Sequence, residues 1–298
     1  MLTITIVEHD HCRRAESLLQ NLLPAAPLSY LRQLLKGGHL QVNGAPAQAD
    51  TLLLCGDRVT LKESGRTRGF LGSTPPPLDI VYEDQWIVAF NKAPGLPMHR
   101  AAEVDERNLV ELGSEFLKRR DGFPGKLRPV NRLDRGTSGC VLLAKSPSAA
   151  GMFGRLVKEE GLAKLYLAVA AGTLPPEGTI DRPVEEKEAV TNYRLLCQGE
   201  GMALAAVTPV TGRMHQIRQH FRMAGHPILG DRRYGRGALP GYPGQLLHSF
   251  RTAFRHPGTG GAVVIAAPLP AGFFPFVRTL AGGDFPRLLV SLAALASP

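Results

Sequence analysis

The chain has 298 residues, 44% hydrophobic and 20% charged, which suits one large and one small folded core and excludes a disordered or fibrous chain. Its formal charge of +9 and pI near 9.6 favour polyanionic partners. No apolar run is long enough to cross a bilayer, and residues 1–8 lack a basic segment leading into an apolar one, so neither a membrane span nor a secretory signal is expected. Cys12, Cys55, Cys140 and Cys197 are scattered without a CxxC pair, which argues against a disulfide framework or a cysteine zinc site and points to a reducing, cytoplasmic compartment.

In chain order, the first 63 residues read as helix, helix, strand, turn, strand. Ala15, Leu18, Leu19 and Leu22 share one helical face, and Leu28, Leu31, Leu34 and Leu35 share another. Gly37-Gly38 ends the second helix, and Asn43-Gly44 after Leu40 and Val42 is a hairpin signal. A last strand is expected near Asp57 to Leu61. Residues 64–77, rich in Gly and Ser and ending in three prolines, read as a linker with no helix of its own. Residues 78–298 form a larger unit. Strands are expected at Asp79 to Tyr82, Trp86 to Phe90, Cys140 to Ala144, Tyr166 to Ala170, Thr191 to Cys197 and Met202 to Val207. Helices carry Leu109 to Leu117 and Met152 to Val157. Hairpins and helices alternate irregularly, so the fold class is α+β, with a mixed, largely antiparallel central sheet and flanking helices.

Charge is uneven. Thr211 to Arg255 holds eight Arg against one acid, Asp231, together with four His, whereas the first 65 residues balance six basic against six acidic. This tract is either a phosphate-binding surface or a solvated arginine-rich face.

Three segments carry chemistry. In Asn131-Arg132-Leu133-Asp134-Arg135-Gly136-Thr137-Ser138-Gly139 a Gly/Thr/Ser turn sets Asp134 at the lip of an apolar strand, where it either meets a ligand or merely bonds its own turn. In Gly212-Arg213-Met214-His215-Gln216-Ile217-Arg218-Gln219-His220-Phe221-Arg222, Met214, Ile217, Phe221 and Ala224 form an apolar helical face, with His215, Gln219 and Arg222 opposite and Arg218 at the border. A border Arg can reach a partly buried carboxylate, favour its charged form and bond it bidentately; the alternative is an ordinary amphipathic surface helix. In Lys164-Leu165-Tyr166 the ring either stacks on a base or packs in the core.

These segments, in this order, resemble the RluA-type pseudouridine synthases, whose signature is His-Arg-Leu-Asp with Thr-Ser-Gly, then Lys-x-Tyr, then Gly-Arg-x-His-Gln-Ile-Arg and Gly-His-Pro-Ile-x-Gly-Asp. The likeness runs from Asp79 to about Phe274 and includes Asn91-Lys92-Ala93-Pro94-Gly95. Two departures stand out: Asn131 replaces the signature His, and Ala93 enters the usual Lys-Pro pair. Leu34 to Gly44 in turn resembles the RNA-binding module named after ribosomal small-subunit protein S-four. The resemblance implies a pseudouridine synthase fold and isomerisation of specific uridines in structured RNA, ribosomal RNA first and transfer RNA second. It implies Asp134 as the essential carboxylate, Arg218 as its partner and Tyr166 as the ring that stacks on a flipped uracil. Substrate contacts are expected from Arg132, Asn131, Arg213, His215, Gln216 and Lys164, and RNA contacts from Lys36, Asn43, Arg222, Arg232 and Arg233. The reaction needs no cofactor and no metal, and the sequence has no glycine-rich phosphate loop, dinucleotide fingerprint or zinc cluster. The expected partner is RNA, with no membrane, and the expected state is a monomer. Two rivals are a non-catalytic RNA-binding or ribosome-assembly protein that keeps the fold, motivated by Asn131, and an RNA methyltransferase, which would need a glycine-rich loop after its first strand.

Overall fold

The computed structural model describes residues 1–71, 78–99 and 106–297, and in it the apolar periods of the sequence close into a small and a large sheet. The N-terminal unit comprises β1 (Leu2–Thr5), β2 (Arg13–Arg14), α1 (Ala15–Leu22), α2 (Leu28–Lys36), β3 (Leu40–Val42), β4 (Ala45–Pro46), β5 (Leu52–Leu53), β6 (Arg58–Leu61) and α3 (Gly65–Phe70). Asn43 and Gly44 take left-handed φ values of 52° and 86° and turn β3 into β4, as the hairpin signal requires. β1, which the sequence pattern did not suggest, pairs antiparallel with β6.

The expected linker behaves differently at its start. Ser64 caps α3 by accepting from Thr67 N (3.1 Å), and buried Thr67 meets the Tyr30 hydroxyl at 2.8 Å. A good cap and a buried hydroxyl pair let a Gly-containing stretch form a short helix that belongs to the small unit's core. Residues 72–77 of the expected linker lie outside the described residues.

The large unit continues with β7 (Asp79–Glu83), β8 (Ile87–Lys92), α4 (Leu109–Asp121), β9 (Arg128–Pro129), β10 (Ser138–Ala144), α5 (Pro147–Glu159), β11 (Ala163–Ala171), β12 (Glu177–Asp181), β13 (Val190–Gly199) and β14 (Met202–Pro209). It closes with α6 (Gln216–Met223), β15 (Leu247–Arg255), β16 (Ala262–Ala266), α7 (Phe274–Ala281) and α8 (Phe285–Ala296). Its main strand order is β12-β13-β14-β11-β15-β10-β8-β7, and among the described pairs only β10 with β15 is parallel. The sheet is therefore mixed and largely antiparallel, as expected. Both faces are covered. Val141 and Leu143 of β10 join a core with Phe116 of α4 and Phe221 of α6, while Cys140 and Leu142 pack with Phe153 of α5. A strand buried on both faces reads as an unbroken apolar run, which is why β10 was visible in the sequence.

The parallel contact brings two distant strands unusually close. Gly139 has φ of 110°, and a Cβ there would lie 2.3 Å from Ser249 O, so no other residue fits. One residue away, the Ser138 hydroxyl meets His248 Nδ1 at 2.9 Å, and His248 Nε2 donates to Ala267 O at 2.9 Å. Burial lowers the His248 pKa to about 4, against the opposing pull of the Ala267 carbonyl. Because the folded value lies below the unfolded one, its contribution to stability is complete above about pH 6.5 and is lost as pH falls towards 4, amounting to about 3 kcal/mol there. Urea unfolding of wild type and His248→Gln at pH 7.5 and pH 4 is expected to show a drop smaller by about that amount in the variant; equal drops would refute the assignment.

The two units are joined by a polar interface. Arg13 bonds both oxygens of Asp79 (2.5 and 3.0 Å), Ser17 donates to Ile80 O, and Gln20 donates to Glu83 at 2.9 Å. Glu83 is completely buried and also receives Arg120 and Lys145. Burial alone would raise the Glu83 carboxyl; the hydrogen bonds and charge of Arg120, with Lys145, overcome this and hold it below its ordinary value. The small unit is thus seated on β7.

Candidate active site

Asp134 stands on the loop between β9 and β10. Leu133 before it is buried in the core and anchors that loop. The Asp134 carbonyl accepts from Thr137 N at 3.1 Å, the turn read from the sequence. Its side chain, about a quarter exposed, faces a cleft of about 360 Å³ shared with Met98, His99, Arg132, His215, Arg218 and Gln245. Asp134 therefore does more than close its own turn.

Arg218 extends from α6 and joins two carboxylates. Its Nη1 donates to Asp134 Oδ2 at 2.7 Å, while Nε and Nη2 donate to Asp231 at 2.7 and 2.9 Å. The bidentate partner is thus Asp231, and Asp134 receives a single bond from Nη1. Asp231 is fully buried, and its Oδ1 also accepts Arg233 N and Tyr234 N. Burial would raise the Asp231 carboxyl, but the Arg218 hydrogen bonds and those two backbone N–H groups hold it down. The guanidinium is held in plane by Asp231 and lies 5.0 Å from the Tyr234 ring centroid. It therefore reaches Asp134 from a fixed position. His215, with left-handed φ of 55°, places Nε2 3.5 Å from Asp134 Oδ1 and Nδ1 3.1 Å from the Tyr234 hydroxyl. Burial lowers the His215 pKa, with Asp134 opposing, so Asp134 Oδ1 faces a largely neutral ring at pH 7.

Behind the loop lies Lys92, 1% exposed, to which the sequence pattern assigns no role. Its ammonium donates to Ala93 O, Leu96 O and Arg135 O at 2.9, 2.9 and 3.0 Å. Burial lowers its pKa to about 7, with the Asp134 charge opposing. Three carbonyl acceptors match three ammonium donors, and the residue next to Asp134 is tied to the end of β8.

The other sequence-picked residues divide by position. Arg132 is exposed and lines the cleft. Asn131 is buried, and its amide is committed to β10: Oδ1 accepts Leu142 N at 2.7 Å and Nδ2 points to Cys140 O at 3.4 Å. Gln216 is also buried, bonding Arg213 N, Thr211 Oγ1, Val190 O and Thr191 Oγ1 at 2.7–3.0 Å. It braces the loop before α6. Tyr166 is in the core beside Val141 and Ile217 rather than among the cleft-lining residues. Burial pushes its phenol up to about 12, Ser249 opposing, and the Asp134 charge still acts on it. Lys164 is half-buried on β11, away from the cleft lining, and burial lowers its pKa.

Arg213, Arg222, Arg232 and Arg233 are exposed near α6, and Lys36 and Asn43 are exposed on the small unit. Asn43 is bonded to Asp57 and to Arg58 N, both at 2.8 Å. The basic tract is not one surface: Arg218, His220 and His248 are buried, and its end is β15 inside the sheet. Met214 precedes α6 and is 52% exposed, and Ala224 is exposed beyond it, so the apolar face of α6 is shorter than its spacing suggested. No group of three or more His, Cys, Asp or Glu among the described residues is arranged to hold a metal ion. No described helix is long and apolar enough to cross a membrane.

A family model described as RNA pseudouridylate synthase matches residues 86–223, which contain Asp134, Tyr166 and Arg218. An uncharacterized RNA pseudouridine synthase of Bacillus subtilis (strain 168) is 30% identical, covering 94% of this chain and 98% of that one. The ribosomal large subunit pseudouridine synthase D of Neisseria meningitidis serogroup A is 30% identical, covering 90% of this chain and 78% of its own length. Among solved structures, human RNA pseudouridylate synthase domain containing 1 aligns with a TM-score of 0.56 at 26% identity, over 75% of this chain and 97% of that one.

Proposed function

The chain belongs to the RNA pseudouridylate synthase family and is an isomerase that converts uridine to pseudouridine in RNA; from that premise we propose that Asp134 is its essential carboxylate and that its substrate is a flipped uridine of large-subunit ribosomal RNA. The observation that carries this reading is the Asp134–Arg218–Asp231 arrangement at the cleft, where one carboxylate is presented and the other is spent on holding the guanidinium.

The reaction breaks the N1–C1′ bond, turns the uracil and joins C5 to C1′, with the C5 proton lost and N1 protonated. Asp134 attacks C1′ or stabilises the cleaved sugar cation. Both roles use the oxygen that Arg218 does not take. Extruding the base costs a few kcal/mol, which phosphate contacts must offset. Arg132 at the cleft mouth is suited to fill the vacated stack or hold a phosphate, and Arg213, Arg222, Arg232 and Arg233 to hold the backbone. Tyr166, within reach of the Asp134 charge but in the core, is a neutral phenol at neutral pH, so a stacking role for it needs the ring to be uncovered when RNA binds. Asn131, Gln216 and Lys164 act through the scaffold. The small unit, similar to an S-four-type module, adds Lys36 and Asn43 as RNA contacts.

Ribosomal RNA is favoured over transfer RNA because relatives over most of the chain's length are named for the ribosomal large subunit. Carbodiimide mapping of total RNA from cells with and without the gene tests this. Loss of discrete pseudouridines from large-subunit RNA is expected; loss confined to transfer RNA would move the substrate, and no lost site would overturn the reading.

A further inference from the structure

We propose that Gln245 is the specificity-determining residue of this site, its side-chain oxygen accepting the N3–H of the bound uracil. The proposal rests on the reading of the cleft as the uracil site.

Gln245 comes from the segment entering β15 and is 5% exposed, yet it lines the cleft with Asp134. Its two amide ends differ. Nε2 donates to Thr137 Oγ1 at 2.6 Å, which fixes the side chain to the loop that carries Asp134. Among the described residues no donor bonds Oε1. That oxygen lies over Gly136, where a Cβ would come within 2.2 Å of it. Glycine is thus the one residue type at this position that leaves Oε1 its place, and an oxygen suits the Gly136 Cα–H better than an NH₂ group would. An amide oxygen held rigid at a ligand cleft, with no protein donor on it among the described residues, is left free to accept from a ligand.

The chemistry of the base then selects the contact. A uracil attached through N1 has one ring donor, N3–H, between two carbonyl acceptors. A lone acceptor at the pocket wall can meet only that donor. Cytosine has an acceptor at N3, so the same oxygen would repel it, and a site that hydrogen-bonds one base rejects its analogue strongly. His99 on the same cleft can supply a donor for a uracil carbonyl.

The test uses an RNA transcript that the wild-type protein converts and the same transcript with 3-methyluridine at the converted position. The methyl group removes N3–H and leaves C5 and C1′ free to react. Gln245→Leu is expected to lower kcat/KM on uridine by about 10- to 100-fold and to change that on 3-methyluridine little, so the preference between them collapses. Gln245→Asn, which retracts the same amide by one methylene, is expected to narrow the preference in the same direction, and thermal unfolding reports whether each variant is folded. Equal losses on both substrates would make Gln245 a brace for Thr137 and overturn the proposal while leaving the enzyme's function intact. A wild-type protein that converts no RNA would overturn the reading of the cleft, and this proposal with it.

Discussion

Replacing Asp134 by Asn is expected to lower isomerisation by more than about four orders of magnitude, because an amide can neither attack C1′ nor balance a sugar cation. The fold should survive the change. Arg218 keeps its two bonds to Asp231, so no charge is stranded in the interior, and the introduced amide retains an oxygen for Nη1. Affinity for RNA, set mainly by exposed arginines, is expected to stay within about threefold. Measuring pseudouridine formation and RNA binding on the same preparation checks both halves. Residual conversion within about tenfold of wild type would remove Asp134 from the chemistry.

Arg218→Ala is expected to act twice. It frees Asp134, and it leaves Asp231, with no solvent exposure, supported by two backbone N–H groups alone. Removing one partner from a buried pair costs about 3–5 kcal/mol, a large share of the roughly 5–15 kcal/mol that keeps a domain folded. The variant should therefore unfold at markedly lower denaturant as well as lose activity. Asp231→Asn separates the two effects. It keeps an acceptor for Arg233 N and Tyr234 N but offers the guanidinium one oxygen in place of two. Activity should fall while the cleft lining is unchanged. Full activity in Asp231→Asn would mean that Arg218 needs no second carboxylate to present itself to Asp134. A loss of RNA binding equal to the loss of activity in Arg218→Ala would instead mark a phosphate contact.

The parts of this molecule that the sequence reveals are those with a local pattern. β10 is legible because both its faces are buried and its apolar run is unbroken. The β3–β4 turn is legible because Asn43 and Gly44 accept left-handed φ. Asp134 and Arg218 stand out because each sits on a short motif, a turn in one case and a helix border in the other. β15 has no such signature: Leu247–Arg255 mixes His, Ser, Thr and Arg with its apolar residues, and buried His248 is accommodated by Ser138 and the Ala267 carbonyl from distant parts of the chain. Met214 is misplaced by its spacing because helical periodicity says nothing about where a helix begins. Asp231 and Lys92 fall in motifs of the resemblance, yet their contacts, like those of Gln245, escape a reading of the sequence for a common reason. Asp231 and Gln245 meet partners 13 and 108 residues away, and Lys92 reaches Arg135, 43 residues away, besides its neighbours Ala93 and Leu96; the long separations leave no periodic trace. The uneven charge did carry one unused signal, since Asp231 is the single acid in a tract of eight arginines.

The loop that carries Asp134 has one more property, which follows from the chain's direction of synthesis. Its restraints arrive in order: Lys92 precedes it, Arg218 follows 84 residues after Asp134, and Gln245 and His248 follow later still. Each such closure costs only roughly 0.6 kcal/mol more per doubling of the intervening length, but none can happen before the downstream residue exists. A nascent chain ending before β15 has made Asp134, its hairpin β7–β8 and much of its helical cover, yet lacks the strand against which Gly139 must pack. The loop that carries Asp134 therefore reaches its described geometry only after β15 has been made and the parallel pair can close.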